Sequence, residues 1–262
     1  MTDLLAQVSQ AARDAGAMAL SRWQGEFNSW DKVPGHIVCD IDLAANDMLR
    51  AALRDLDPEA GWLSEETADS AERLMRSRVW VVDPIDGTRD FVRGRPGWAV
   101  SVGLVSEGRP LFGMLAAPAR QIDGEDEFWS AEAGHGAWRN GQRLVASTRT
   151  ELAGARVPTD MVPSTDSDLV MVDKPNSIAL RVAMVAADEA DLLATLRWGF
   201  EWDVAAAALI AREAGAAVSD AFGQPLAYNK RDPRAFGVLV TAPAIHDAAI
   251  ARLAERAEQL GR

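Results

Sequence analysis

Residues 79–82, Val-Trp-Val-Val, run without a polar break into Asp83-Pro84-Ile85-Asp86-Gly87-Thr88. A short β-branched run of this kind reads as a buried strand. Pro84 fixes its own φ and biases Asp83 towards an extended conformation, so the strand is expected to stop at Asp83. Two carboxylates are thereby committed to a tight bend at the margin of an apolar core. Asp83, Asp86 and the backbone carbonyl of Ile85 can converge there as hard oxygen ligands for Mg²⁺. Gly87-Thr88 reads as the start of a helix, whose free N–H groups suit a phosphate, with no side chain on Gly87 to block its approach. Taken alone, the same residues also fit a plain turn.

The 262 residues carry a net charge of −12. Such a surface repels nucleic-acid polymers and anionic membranes. It repels a phosphate ester as well, unless a bound divalent cation reverses the local sign. Residues 1–20 lack a basic start and an uninterrupted apolar core, so neither a signal peptide nor a membrane span is expected. The single cysteine, Cys39, has no internal disulfide partner, and a reducing cytoplasm is the expected compartment.

Apolar spacing predicts helices over 3–24 and 42–56, the second begun by Asp42. Segments 99–105 and 111–116 read as strands joined by a turn at 107–110. Phe128–Ala131 and Gly136–Trp138, followed by Asn140-Gly141, read as a hairpin returning to the same sheet. Residues 153–175, rich in Pro, Thr, Ser and Asp, read as an inter-lobe connection. Segments 179–187, 204–214, 236–241 and 244–260 then alternate helix and strand, with Asp203 opening the helix over 204–214 and Gly215 ending it. The expected architecture is mixed, α+β or α/β, in two packed lobes of residues 1–150 and 151–262.

Two further acidic stretches bear on the bend at Asp83. Trp62-Leu63-Ser64-Glu65-Glu66-Thr67 carries an acidic pair behind an apolar dipeptide, and Trp202-Asp203 places an aspartate behind an aromatic at a helix start. Singly, these are surface charge and an N-cap; together with Asp83 and Asp86 they can furnish a two- or three-metal site. In this order, Ser64-Glu65-Glu66, Asp83-Pro84-Ile85-Asp86-Gly87-Thr88 and Trp202-Asp203-Val204-Ala205-Ala206 resemble the inositol monophosphatase superfamily of Mg²⁺-dependent, Li⁺-sensitive phosphomonoesterases. The resemblance covers nearly the whole chain.

It implies a layered αβαβα sugar-phosphatase fold, with most metal ligands and the phosphate loop in residues 1–150, and Asp203 and the specificity residues in 151–262. Glu65, Asp83 and the Ile85 carbonyl are implied for a first ion, and Asp83, Asp86 and Asp203 for a second. A third, weaker ion would share Glu65. Gly87 and Thr88 would receive the phosphate through backbone amides, beside Asp86 and Asp203. Asp42 would orient Thr88, which with Glu65 would help deprotonate the attacking, metal-activated water. Mn²⁺ is the implied substitute for Mg²⁺, and Li⁺ the implied inhibitor. The chain departs from the pattern at Cys39, where the family usually has Thr, at His36, and at Lys32, whose spacing is shortened. The family's Ser-Arg-x-His is missing from Arg156-Val157-Pro158-Thr159.

Within the superfamily, Arg89-Asp90-Phe91, Glu201-Trp202-Asp203 and Pro225-Leu226-x-Tyr228-Asn229 resemble the bacterial bisphosphate-nucleotidase branch, which converts 3′-phosphoadenosine 5′-phosphate to AMP and phosphate. That resemblance implies substrate contacts for Glu201 and Arg181. Basic side chains at 181, 230 and 231 would suit a second phosphate. Inositol 1-phosphate is the alternative substrate, followed by histidinol phosphate and fructose 1,6-bisphosphate. A non-catalytic phosphoester-binding protein would have no need of both Asp42 and Thr88. The expected partner is a small phosphorylated metabolite, and the resemblance leaves a homodimer open. His36, His135 and His246 share no metal-ligand spacing and read as structural or exposed. Trp198 is a candidate for the substrate mouth.

Overall fold

The computed structural model describes residues 3–261. The first half of the chain runs α1 (Asp3–Arg22), β1 (Ser29–Val33), β2 (His36–Cys39), α2 (Asp40–Leu56), β3 (Gly61–Ser64), β4 (Arg78–Asp86), α3 (Thr88–Val92) and β5 (Ala99–Ser106). It continues through β6 (Arg109–Ile122), β7 (Glu125–Glu132), β8 (Gly136–Arg139) and β9 (Gln142–Arg143). The second half runs β10 (Arg156–Pro158), β11 (Val170–Val172), α4 (Ile178–Ala186), β12 (Leu192–Phe200), α5 (Glu201–Glu213), β13 (Ala217–Ser219), β14 (Arg234–Thr241) and α6 (His246–Leu260).

Strands β3 to β9 form one seven-stranded sheet in sequence order. Only β3 and β4 pair in parallel; the remaining neighbours are antiparallel. The two-residue period of a strand sends alternate side chains to opposite faces, and β4 shows where they go. Trp80 and Val82 join Leu5, Val8 and Ala12 of α1 and Leu49 and Leu53 of α2 in one apolar cluster. Val79 and Val81 point the other way, into a cluster with Val182 of α4, Leu209 of α5, and Leu193, Val238 and Val240. Those last three belong to a second sheet, ordered β12-β14-β13 and antiparallel throughout. Its far face carries Leu192 and Leu239 against Ala249 and Leu253 of α6. The layers therefore read helix, sheet, helix, sheet, helix, and the middle helices come from the second half of the chain.

Small residues let the central helix sit close to the large sheet. A Cβ placed on Gly113 of β6 would lie 2.4 Å from the carbonyl oxygen of Ala206 in α5. The run Ala205–Ala208 is fully buried there. Close packing on this face fixes the height of α5 over the sheet, and with it the position of Asp203 in its first turn.

Three expectations are corrected. β4 does not end at Asp83 but pairs with β5 as far as Asp86↔Ala99, across an irregularity between Asp83 and Asp86. Pro84, which has no N–H to give a ladder, sits inside that bulge, where one is not needed. Asp42 does not begin its helix. α2 starts at Asp40, and Asp42 is its third residue, reaching back to accept from the backbone N–H of Cys39 at 2.8 Å. Asp203 likewise occupies the third position of α5 and accepts from Phe200 N–H at 3.0 Å. Both helices use a carboxylate to close their own N-terminus, as a capping box does from its third residue. β12 and the β1–β2 ribbon are elements that the apolar pattern did not announce. β1 is exposed along its whole length, and β12 only begins buried before its later residues open to solvent. Among the described residues, no helix is long and apolar enough to cross a membrane.

Candidate active site

The carboxylates meet because of how the strands end. β3 and β4 run parallel with Ser64 opposite Val82, and Glu65 N–H donates to the Val82 carbonyl at 3.3 Å. The next residue on each strand is thus Glu65 on one and Asp83 on the other, side by side at the same sheet end. α5 brings Asp203 in from the helix layer. Carboxylate oxygens of Glu65, Asp83 and Asp203 lie within 4.8 Å of one another. The loop that carries Glu65 is pinned to α2: Ser64 Oγ donates to Asn46 Oδ1 at 2.8 Å, and Asn46 Nδ2 and Trp62 Nε1 both donate to Thr67 Oγ1 at 3.1 Å.

The electrostatics are those of an acidic cage short of positive charge. Burial, and then the neighbouring carboxylates of Glu65, Asp86 and Asp203, hold Asp83 well above the usual carboxylate range. Burial also raises Glu65, with Lys32 opposing and Asp203 adding to the rise. It pushes Asp203 up to about 7, helped by Asp86. The nearest cation to Glu65 is Lys32, which makes a close ion pair with Glu66 and stands 3.5 Å from Glu65 Oε1, while Arg197 acts on Asp203 from the cavity wall. Three buried or half-buried hard oxygen donors converging with so little compensation fit a divalent cation such as Mg²⁺. Glu65, Asp83 and Asp203 would hold it, and the Ile85 carbonyl, at the end of the same bulge, is an available fourth oxygen.

Asp86 stands beside this cluster but is turned partly away from it. Its Oδ2 accepts from Ser177 Oγ and from Ala179 N–H, each at 2.6 Å. Ser177 caps α4 by accepting from Leu180 N–H at 2.9 Å, so Asp86 ties the Asp86-Gly87-Thr88 turn to the first turn of α4. A Cβ on Gly87 would lie 2.6 Å from Gly97 O and 2.8 Å from Ser177 N, and its φ is +95°. Gly87 is therefore required by packing and by its left-handed backbone, a stronger reason than leaving room for a ligand. Thr88 begins α3, and its hydroxyl lies 3.2 Å from Asp42 Oδ1 and 3.0 Å from the Ile85 carbonyl. Burial pushes Asp42 up to about 6, against hydrogen bonds from Cys39. That suits a group that receives a proton near neutral pH.

A cavity of about 250 Å³ opens over these groups. Glu65, Asp83, Ile85, Asp86, Thr88 and Asp203 line its floor, and His36, Arg89, Arg197 and Trp198 are among its walls. Trp198 is 54% exposed, with its ring edge-on to Phe236 at 5.6 Å. His36, read from sequence as structural or exposed, stands at the rim.

Two expected substrate contacts lie elsewhere. Glu201 is buried and accepts from the backbone N–H groups of Asn229 and Lys230 at 2.5 and 3.0 Å. It anchors the C-terminal loop instead of facing the cavity. The buried Arg73 holds the same loop, donating to Asn229 Oδ1 and the Lys230 carbonyl as well as to Asp69. Arg181 does not line the cavity; its guanidinium donates to the Ser177 and Asn176 carbonyls, behind Asp86. Lys230, expected near a second phosphate, is occupied by the Arg234 carbonyl.

With the carboxylate cage, the capped threonine and the glycine turn in place, likeness to known proteins becomes decisive. The model of the inositol monophosphatase family matches residues 1–259. The chain belongs to the inositol monophosphatase family. The family consists of metal-dependent phosphatases, and an acidic group able to hold a metal ion accords with that membership. Inositol monophosphatase 2 of Solanum lycopersicum is 31% identical over 234 residues, covering 82% of this chain and 86% of that protein. The 3′(2′),5′-bisphosphate nucleotidase CysQ of Escherichia coli K12 is 29% identical over 242 residues, covering 87% and 95%. Among solved structures, the Thermotoga maritima IMPase TM1415 superposes with a TM-score of 0.84 at 28% identity, over 99% of this chain and all of that one. As a member of this family, the chain keeps the mixed layered fold.

Proposed function

We propose that this family member is a Mg²⁺-dependent phosphomonoesterase whose substrate is 3′-phosphoadenosine 5′-phosphate, hydrolysed at the 3′-phosphate to AMP and inorganic phosphate. The observation that carries the reading is the convergence of Glu65, Asp83 and Asp203 within 4.8 Å, beside a Thr88 hydroxyl 3.2 Å from Asp42 Oδ1. Bound divalent cations, two or three with Mn²⁺ as a substitute, would neutralise the phosphate, polarise its oxygens and acidify water, with Li⁺ as competitor for the weakest position.

The chain's own residues do the rest. Gly87 and Thr88 present the first turn of α3 to the phosphate. Asp86, fixed by Ser177 and Ala179, keeps that turn in register with α4. Thr88 takes a proton from the attacking water as its own passes to Asp42. Water oxygen bonds to phosphorus opposite the ester oxygen, the P–O ester bond breaks, and the departing oxygen takes a proton from solvent water. In this division of labour, residues 1–150 supply Glu65, Asp83, Asp86 and the phosphate turn, and residues 151–262 supply Asp203.

The walls favour a nucleotide over a polyol. Trp198 offers a flat apolar surface for a base, and Arg89 and Arg197 add cations where an inositol ring would be met better by neutral hydrogen-bonding groups. The plant relative's name supports inositol phosphate as the second reading. Phosphate release from 3′-phosphoadenosine 5′-phosphate, inositol 1-phosphate, histidinol phosphate and fructose 1,6-bisphosphate, with and without Mg²⁺, tests both. The expected result is Mg²⁺-dependent release, fastest from the first substrate. Release that is indifferent to Mg²⁺ or fastest from inositol 1-phosphate would refute the respective part.

A further inference from the structure

A second cavity, of about 590 Å³, adjoins the one over the carboxylates, and Arg89 and Asn176 line both. Its cations are Arg89, Arg93, Arg95, Arg120 and Lys174, and its acids are Asp90, Asp160 and Asp173. A basic majority is unexpected on a chain of net charge −12. Two of the acids are already engaged. Asp90 Oδ2 accepts from Asn176 N–H at 3.0 Å, and Asp160 makes a close ion pair with Lys174. Lys174's hydrogen bond, together with the fields of Lys174, Arg181 and Arg95, holds the exposed Asp160 carboxyl below its ordinary range. Arg120 gives its Nε to Glu127 at 3.0 Å, and Arg89 gives one N–H to the Gly35 carbonyl at 2.7 Å. Among the described residues, the guanidinium groups of Arg93 and Arg95 have no hydrogen-bond or ion-pair partner.

The turn that carries these two arginines is nevertheless fixed. Arg95 N–H donates to the Asp90 carbonyl at 2.8 Å and Gly94 N–H to the Phe91 carbonyl at 3.0 Å. Gln24 Nε2 donates to the Gly94 carbonyl at 3.1 Å, and Trp23 Nε1 to the Phe91 carbonyl at 3.2 Å. Two unpaired guanidinium groups on an anchored turn, one cavity away from a phosphate loop, are poised for a multi-oxygen anion.

The geometry points to a second anion subsite in this groove, built on Arg93 and Arg95, that holds the phosphate remote from the scissile one in a substrate carrying two phosphates. It takes the place of Arg181 and Lys230, whose side chains are engaged elsewhere. The proposal rests on the nucleotide reading above, and it puts the choice between mono- and bisphosphate in residues 93–95, outside the metal cage.

The test compares 3′-phosphoadenosine 5′-phosphate with adenosine 3′-phosphate, which presents the same scissile ester without the remote phosphate. The Mg²⁺-loaded wild type is expected to show a KM at least about tenfold lower for the bisphosphate, as charge-assisted contacts allow. In the double variant Arg93→Ala/Arg95→Ala that advantage is lost, while kcat and the monophosphate KM stay within about twofold. An unchanged KM ratio, or equal losses on both substrates, overturns the subsite. A second readout does not depend on turnover: binding of adenosine 5′-phosphate, the product that keeps the remote phosphate, measured without divalent cation so that the carboxylate cage repels it. Weakening by about tenfold in the variant supports the subsite even if neither nucleotide is hydrolysed, an outcome that would sink only the substrate reading. Equal binding in both proteins overturns it, as does a variant whose sole change is dissociation of a dimer.

Discussion

Asp83 and Asp191 are both sealed from solvent, yet their surroundings drive them in opposite directions. Burial alone would raise Asp191, but Arg156 surrounds it with hydrogen bonds from its backbone N–H, Nε and Nη2 at 2.8 to 2.9 Å, and Ser147 Oγ adds one at 2.6 Å. Its carboxyl is brought down to about 2. Asp83 receives one hydrogen bond, from Ile85 N–H at 3.1 Å, and faces Glu65, Asp86 and Asp203. One region spends its buried charge on holding β10 to the start of β12. The other leaves its charges opposed and only partly compensated by Lys32 and Arg197, an arrangement that costs stability unless bound cations complete it. Buried acid by itself therefore says little; the sign of what surrounds it separates a structural clamp from a group able to hold a metal ion.

The contrast can be broken from either side. Removing the hydroxyl of Thr88 next to the cage should cost the most. Thr88→Ala is expected to lower kcat by about 10²- to 10⁴-fold, with KM and the thermal midpoint nearly unchanged, as read by phosphate release and a melting curve. A large loss of fold instead would make Thr88 a structural residue. Asp191→Ala should do the reverse. Its four hydrogen bonds are lost while the Arg156 side chain keeps only its contacts with Asp188, so urea unfolding should report about 3 kcal/mol less stability, with kcat retained.

The smallest effect is a pair of opposite pH slopes in the metal-free protein. Asp191 is depressed in the folded state, so its contribution is complete above the ordinary carboxylate pKa near 4 and fades as pH falls towards about 2. Asp203 is raised, so the folded state binds the extra proton. Its penalty is absent below about 4 and grows as pH rises through about 7. Chemical denaturation across this range should show stability falling at both ends. Asp191→Ala should flatten the acid limb alone, and saturating Mg²⁺ the neutral limb alone. One limb responding to both treatments would erase the distinction.

Much of the cage was legible because its residues sit where periodicity breaks. Asp83 and Asp86 interrupt a buried strand, Glu65 comes two residues after the apolar dipeptide Trp62-Leu63, and Asp203 directly follows Trp202. The bulge that extends β4 to Asp86 was not legible, since Pro84 is as compatible with the end of a strand as with a missing ladder bond. Nor was the third-residue position of Asp42 and Asp203, because their cap partners, Cys39 and Phe200, contribute backbone N–H groups that any residue type has. Asn46 left a signal that was passed over: it lies four residues after Asp42, on the stripe that continues through Leu49 and Leu53 and should be apolar. Ser177, just ahead of the apolar run 178–186, was likewise readable as a cap. Glu201 and Lys230 were misplaced because a charge near the helix that carries Asp203 looks the same in sequence whether it faces the cavity or the loop behind it.

The most direct measurement is a melting curve of Asp83→Asn alongside the wild type, with and without Mg²⁺, on the same samples used for phosphate release. The wild type should be inactive and less stable without Mg²⁺, and gain several degrees as the ion saturates. The variant should melt no lower than the metal-free wild type, since a repelling charge has gone, yet show no Mg²⁺-dependent gain and no phosphate release. A variant that still gains stability from Mg²⁺ and still hydrolyses its ester would contradict the claim that opposed carboxylates are held in place for the ion.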